Sequence, residues 1–258
     1  MNISILTPIY NRSEWMPLMV YNINNLDYNK KLLEWVILDS KDGDKNIKLF
    51  ENIQDIKKLE NTLGIKITYK YIDRKCSIGE KRNMLTKLAT YKICANMDSD
   101  DILLPSWLNH SLEIMNNNSK CSLVGTNGMI FCFPDDDFML SGIQCAEKRQ
   151  IHESGMVYTK KHHKSMGGFQ KSSQGEGSSM IDFSENRVCC TDATKVIVCI
   201  CHDNNTINKN RFRSADINQK LNGEIRDIIK NILPDITPSQ RPKIILHNNM
   251  HTFTNQII

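Results

Sequence analysis

The sequence predicts an α/β protein with a mostly parallel central sheet, flanking helices and a smaller mixed region. Two observations carry this reading. Over residues 1–115, short apolar strands alternate with amphipathic helices, an order that sets consecutive strands side by side and packs the connecting helices on both sheet faces. Polar residues gather where those strands end, at Thr7 to Asn11, at Asp39 and at Asp98 to Asp100. In such a sheet, ligands bind beyond the carboxyl ends of the strands.

The elements follow in order. ISILTPIY is the first strand, ending at Thr7-Pro8, and a helix follows from about Ser13 as its N-cap, with Leu18, Met19, Tyr21 and Ile23 as apolar positions. LLEWVILD is the second strand. The loop SKDGD leads into a helix carrying Ile47, Phe50, Ile53, Ile56 and Leu59, closed by Gly64. ITYKYID alternates with period two and is the third strand. CSIGEKRN opens a helix with Met84, Leu85, Leu88 and Ala89 inward, and YKICANMD is the next strand. Pro105 then sits near the first turn of a helix carrying Trp107, Leu108, Leu112 and Met115. Beyond this the pattern loosens. CSLVGTNGMIFCF reads as a strand or hairpin, GMVYTK as a short strand, and the Gly- and Ser-rich HHKSMGGFQKSSQGEGSS as a long loop. KVIVCICH is a strand ending at His202, and NQKLNGEIRDIIKNIL is a helix stopped by Pro234. The tail from Pro238 to Ile258 carries no strong pattern.

Composition narrows the function. The 258 residues are 40% hydrophobic and 24% charged, enough for one sizeable core. A net charge of +4 with no basic run and no interleaved aromatics argues against nucleic acid. No apolar run reaches the ~18 residues of a membrane span, and no signal peptide is read, so a soluble cytoplasmic protein is expected. The nine cysteines include no CxxC pair. Neither a zinc nor a disulfide framework is therefore read from spacing, and free thiols in a reducing compartment are expected.

NMDSDDILLP places Asp98, Asp100 and Asp101 within four positions, directly behind a buried strand. On an extended segment, residues two apart point the same way, so Asp98 and Asp100 face one point while Ser99 turns aside. Adjacent carboxylates repel unless a positive charge lies between them. A hard divalent cation, Mg²⁺ or Mn²⁺, suits such oxygens and shares its shell with phosphates. Asp101 alone is explained by the following helix N-terminus, where the dipole and capping favour Asp.

The set TPIYNR, VILDSKDGD, IGEKRN and NMDSDD, in that order, resembles the GT-A-fold glycosyltransferases related to family 2, which use nucleotide sugars and carry a DxD motif. The resemblance covers residues 1–115 well and continues more weakly to CHDNNT near residue 206. It implies one GT-A domain over 1–258, with a nucleotide half to 115, an acceptor and metal half over 116–206, and a C-terminal helix and tail. By position it implies that Thr7, Pro8, Tyr10 and Asn11 line the nucleotide pocket and that Asp39 accepts from uracil or ribose. Arg82, with Lys81 beside it, would lie near base or phosphates, and Asp98 and Ser99 in the nucleotide-sugar site. Asp100, with Asp98, would bind the metal, and His202 would be a later ligand that favours Mn²⁺ over Mg²⁺. Glu176 in QGEGSS would be the catalytic carboxylate that takes the acceptor proton, with Asp100 the other catalytic residue. Two departures stand out: Gly177 replaces the second acid of a common Glu-Asp pair, and Ser40 replaces the second acid after Asp39.

The expected reaction moves a sugar from a UDP-sugar to a hydroxyl acceptor. The abundance of Asn, Ile and Lys, which suggests an AT-rich genome, and the QGEG variant are similar to those of standalone giant-virus glycosyltransferases acting on collagen-like protein. That resemblance implies UDP-glucose as donor and galactosyl-hydroxylysine as acceptor, or another glycan or glycosylated protein. It implies retention, whereas family 2 implies inversion, and both outcomes stay open. A homodimer through Gly142 to His163 or the tail is a further expectation. A nucleotidyltransferase would show a Gly-rich loop after the first strand, where PIYNRSEW has no glycine. A non-catalytic nucleotide-sugar binder is the other alternative. Elsewhere the plain readings are preferred: a solvated turn at Asp135 to Asp137, a polar loop pair at His162-His163, core packing for Cys199, Cys201, Trp107 and Met115, and a solvated face for Arg211, Arg213 and Lys220. Trp15, Phe169 and Arg211 are weighed as site residues against these.

Overall fold

The computed structural model describes residues 1–40, 48–144, 151–181, 187–213, 217–220 and 223–233. The expectations for residues 41–47, Pro234 and the tail, and for the Arg211 and Lys220 side chains, lie outside the described residues. The elements are β1 (Ile3–Ile9), α1 (Met16–Asn25), β2 (Leu33–Ser40), α2 (Ile53–Leu63), β3 (Lys66–Ile72), α3 (Ile78–Leu88), β4 (Ile93–Asn96), β5 (Asp101–Leu103) and α4 (Trp107–Asn117). They continue as β6 (Leu123–Thr126), β7 (Gly128–Phe133), β8 (Met139–Gln144), β9 (Val157–Thr159), α5 (Lys160–Ser165), β10 (Val188–Thr191), β11 (Ile197–Ile200), β12 (Ile217–Lys220) and α6 (Gly223–Ile232).

A seven-stranded sheet runs β10-β6-β9-β4-β1-β2-β3. β9 alone runs against its neighbours, so the sheet is mostly parallel as expected. β2 is buried along its whole length, as a central parallel strand covered on both faces must be. A second, five-stranded sheet runs β12-β8-β7-β11-β5 and is the smaller mixed region. Trp35 and Trp107 anchor one core cluster, and Trp15 lies in another under the second sheet.

Several local expectations change. Ser13 does not cap a helix: Ser13–Trp15 is a 3-10 turn, and α1 begins at Met16 with no side-chain cap. α2 starts at Ile53, where the Asn52 side chain accepts from the Asp55 amide, and ends at left-handed Gly64. Asp101 opens strand β5 rather than a helix, because β5 finds a partner in β11. CSLVGTNGMIFCF is not a hairpin: β6 and β7 lie in different sheets. HHKS forms α5, capped by Thr159, and His162 is buried between Ser122 and the Met180 carbonyl. Residues Ile217–Lys220 pair with β8 rather than forming a helix, and Gly223–Ile232 is helical. Arg213 is 4% exposed, not solvated, and is bound to Asp135 and Asp136.

Candidate active site

Strands β1, β2 and β4 end together on one side of the large sheet. Just past β4, the chain leaves that sheet and enters β5 of the second. Antiparallel pairing of β5 with β11 sets Asp101 opposite Cys199. This register carries the end of β11 past the acidic motif, and His202 meets Asp100 across 102 residues of sequence. His202 Nε2 lies 3.1 Å from Asp100 Oδ2, and the imidazole packs against Trp15 with ring centroids 4.7 Å apart. Arg12, in the TPIYNR stretch, brings a guanidinium nitrogen to 3.6 Å from the same oxygen. Burial alone would raise the Asp100 pKa. The His202 bond, then Arg12 and Lys209, instead hold this carboxyl well below the usual range.

Arg82 is the second centre. IGEKRN forms the first turns of α3, closed by a full capping box between Ser77 and Glu80. Gly79 in that turn touches the backbone of the 168–176 loop, and a Cβ there would stand 1.7 Å from the Gln170 carbonyl oxygen. The glycine lets the loop close over the helix and deliver Glu176. Arg82 is 1% exposed. Its Nε donates to Glu176 Oε1 at 3.0 Å and its Nη2 to Asp98 Oδ2 at 3.0 Å. Burial opposes the guanidinium charge, but Asp98 and Glu176 hold its pKa above the ordinary arginine value. Burial also raises the Glu176 pKa, with Arg82 pulling against it. Arg82 Nη1 has no hydrogen-bond partner among the described residues.

The remaining residues divide into two groups. Tyr10 is half-buried, with Lys81 Nζ 5.3 Å from its ring centroid. Lys81 donates to the Ile9 carbonyl at 3.0 Å, and burial pulls its pKa down to about 8. Asn11 is exposed and has φ of +48°, a conformation Asn tolerates better than most residues. Pro8 is half-buried beside it. Deeper in, the Thr7 hydroxyl accepts from Trp35 Nε1 at 2.8 Å, and Thr7 and Ser99 are buried. Asp39 is 1% exposed, and its Oδ2 accepts from Tyr69 and the Leu49 amide. Phe169 is buried, facing Tyr158 and Arg82, and thus packs the loop.

The Asp100 and His202 donors fit a divalent cation. Two ligands each about 2.1 Å from one ion, at right angles to each other, stand about 3 Å apart. The sequence reading passed over Arg12 and Lys209. Arg12 was legible within TPIYNR; Lys209 had no local signal, because its neighbours Asp100, Asp101 and Cys199 arrive from other elements.

The fold has solved counterparts. The N-terminal 1–349 part of S. aureus TarS in complex with UDP matches with TM-score 0.61 and 15% identity, over 90% of this chain and 71% of that one. The same protein with UDP-GlcNAc matches with TM-score 0.58 and 14% identity, over 90% and 72%. The mannosyltransferase PcManGT from Pyrobaculum calidifontis, with GDP-Man and Mn²⁺, matches with TM-score 0.54 and 14% identity, over 77% and 56%. These likenesses fix the fold as GT-A-like. No curated protein matches the chain in sequence. The model of glycosyl transferase family 2 matches residues 4–173, which is most of the chain and includes the β1, α3 and Asp98–Asp101 motifs. The chain belongs to glycosyl transferase family 2 and is a nucleotide-sugar-dependent glycosyltransferase.

Proposed function

We propose that this enzyme transfers a hexose from a UDP-sugar, with UDP-glucose the first donor to test, to a hydroxyl of a glycan or glycosylated protein such as galactosyl-hydroxylysine. The observation that carries the reading is the 3.1 Å approach of Asp100 and His202, made by two strands of the second sheet at the mouth of the first. Asp100 and His202, with Asp98 nearby, would hold Mn²⁺ or Mg²⁺, and that ion supplies positive charge to the departing diphosphate. Solved neighbours carrying UDP, UDP-GlcNAc and GDP-Man with Mn²⁺ support a nucleotide-diphosphate donor.

The chain's own groups take the other roles. Tyr10, backed by Lys81, offers a ring face to the base, and Asp39 an acceptor to base or ribose. Asp98 and Ser99 belong to the ribose end. Arg82 keeps an unpaired N–H beside Asp98 for a phosphate oxygen, and Thr7, Pro8 and Asn11 shape the strand end that carries Tyr10. Glu176 receives the proton of the attacking hydroxyl. Its raised pKa brings a buried carboxylate nearer the working range of a general base. For proton uptake, Glu176 uses the oxygen that Arg82 leaves free.

The test is UDP release from UDP-glucose and UDP-galactose, with Mn²⁺ and with EDTA, by wild type and Asp100→Ala. Release that needs Mn²⁺ and vanishes in the variant is expected. A folded wild type that releases UDP from no UDP-sugar defeats the donor assignment.

A further inference from the structure

Next to Asp100, three side chains from separate segments converge: Asp101 on β5, Cys199 on β11 and His152 in the turn before β9. One ligand atom from each lies within 4.8 Å of the other two. Asp101 and Cys199 are buried and face each other across the antiparallel β5–β11 pair. His152 Nε2 stands 3.6 Å from Cys199 Sγ. Its other nitrogen, Nδ1, lies 3.1 Å from the Ser154 carbonyl oxygen. A carbonyl only accepts, so Nδ1 carries a hydrogen, and Nε2 is the ring nitrogen that faces the thiol. Asp101 is only 4% exposed, and the opposite charges acting on its carboxylate are the Lys209 ammonium and then the His152 ring. A buried carboxylate calls for positive charge beside it, and a bound cation would add to what Lys209 supplies.

We propose that Asp101, His152 and Cys199 form a second metal site, separate from Asp100 and His202, for a borderline-soft cation of the zinc type. The donor set of one oxygen, one nitrogen and one sulfur suits such an ion and is poorly matched to Mg²⁺ or Mn²⁺. Zinc held tetrahedrally, with Zn–S about 2.3 Å and Zn–N about 2.0–2.1 Å, keeps sulfur and nitrogen about 3.6 Å apart. His152 and Cys199 stand at that separation. The Ser154 carbonyl on Nδ1 is the outer contact that orients a metal-binding imidazole. Lys209 also lies in the field of Asp101 and Cys199, so the ion competes with that ammonium and displaces the thiol proton.

The ion would fasten the start of β5, the end of β11 and the 152–156 turn. That turn already supports the acidic motif: Ser154 Oγ accepts from the Asp98 amide, and Asn96 Nδ2 donates to the Glu153 carbonyl. Pinning these three segments holds Asp100 in register with His202.

The test uses the whole chain, stripped with EDTA and titrated with Co²⁺ as an optical substitute for Zn²⁺. One equivalent is expected to bring a thiolate-to-cobalt charge-transfer band that stoichiometric Zn²⁺ removes. The band disappears in Cys199→Ser, weakens in His152→Gln and survives in Asp100→Asn. No such band in wild type, or one unchanged in Cys199→Ser, overturns the proposal. Zinc-edge X-ray absorption on wild type gives the same answer without any variant. One sulfur with nitrogen and oxygen neighbours supports the site; a shell with no sulfur, or with several, overturns it.

Discussion

Two buried arginines in this molecule make nearly the same contacts. Arg82 bridges Asp98 and Glu176 with Phe169 beside its guanidinium, and Arg213 bridges Asp135 and Asp136 with Phe133 beside its own. Arg82 stands on α3 at the carboxyl end of the parallel strands. Its partners come from the end of β4 and from a loop, at the strand ends where we place the donor site. Arg213 follows a short 3-10 turn and closes it onto the turn after β7, at the outer side of the second sheet. Asp135 and Asp136 keep 36% and 34% side-chain exposure, against 5% for Glu176. A buried arginine with two acids is therefore not in itself a functional signature. Its place relative to the strand ends separates a candidate site cluster from a clasp.

Exchanging each arginine tests that distinction most severely. Arg82→Met leaves Asp98 and Glu176 facing each other without a cation, and is expected to cost about 3–5 kcal/mol of stability. Urea unfolding reads this, and a loss below about 1 kcal/mol would mean the cluster is not cohesive. Asp100→Asn removes the charge that His202, Arg12 and Lys209 stabilise, so UDP release should fall about 10²–10³-fold and the unfolding midpoint should fall as well. Glu176→Gln still accepts from Arg82 Nε, so the fold should hold while turnover drops about 10²-fold. Unchanged turnover would remove Glu176 from proton transfer. Arg213→Met should cost about 1–3 kcal/mol, because its acids can rehydrate, and should leave kcat/KM within about twofold. A large loss of activity there would erase the contrast between the two arginines.

The smallest expected effect is a pH dependence. Burial lowers the His163 pKa to about 4, and His163 Nε2 is bonded to Asn83 Oδ1, next to Arg82 on α3. The folded value lies below the ordinary 6.5. The unfolded chain therefore binds the proton first, and stability present above pH 6.5 is lost as pH falls towards 4. Because the ring is half-exposed, the loss should be about 1 kcal/mol. His163→Gln should flatten that part of the stability curve, and an identical curve would assign the acid sensitivity to other groups.

The sequence of the first half was readable because its signals are local. Period-two strands, the Gly64 stop, the Ser77–Glu80 capping box and the position of Asp98 and Asp100 behind a buried strand each lie within one element. Three other stretches misled for the opposite reason. HHKS reads as loop until Thr159 caps it, NQKL reads as helix until β8 offers it a partner, and Asp101 reads as a helix cap until β11 lies alongside. Pairing with a distant strand outweighs a weak local preference.

By itself, the sequence determined the mostly parallel α/β sheet, the strand end where the site lies, and the types of side chain gathered there. Tertiary structure alone decided which of them meet. It set His202 against Asp100, closed Glu176 onto Arg82 through the contact at Gly79, and assembled Asp101, His152 and Cys199 with no spacing motif between them. The physical reason is register. An antiparallel pair such as β5 and β11 fixes which side chains stand opposite each other, and that choice belongs to the whole sheet rather than to either strand.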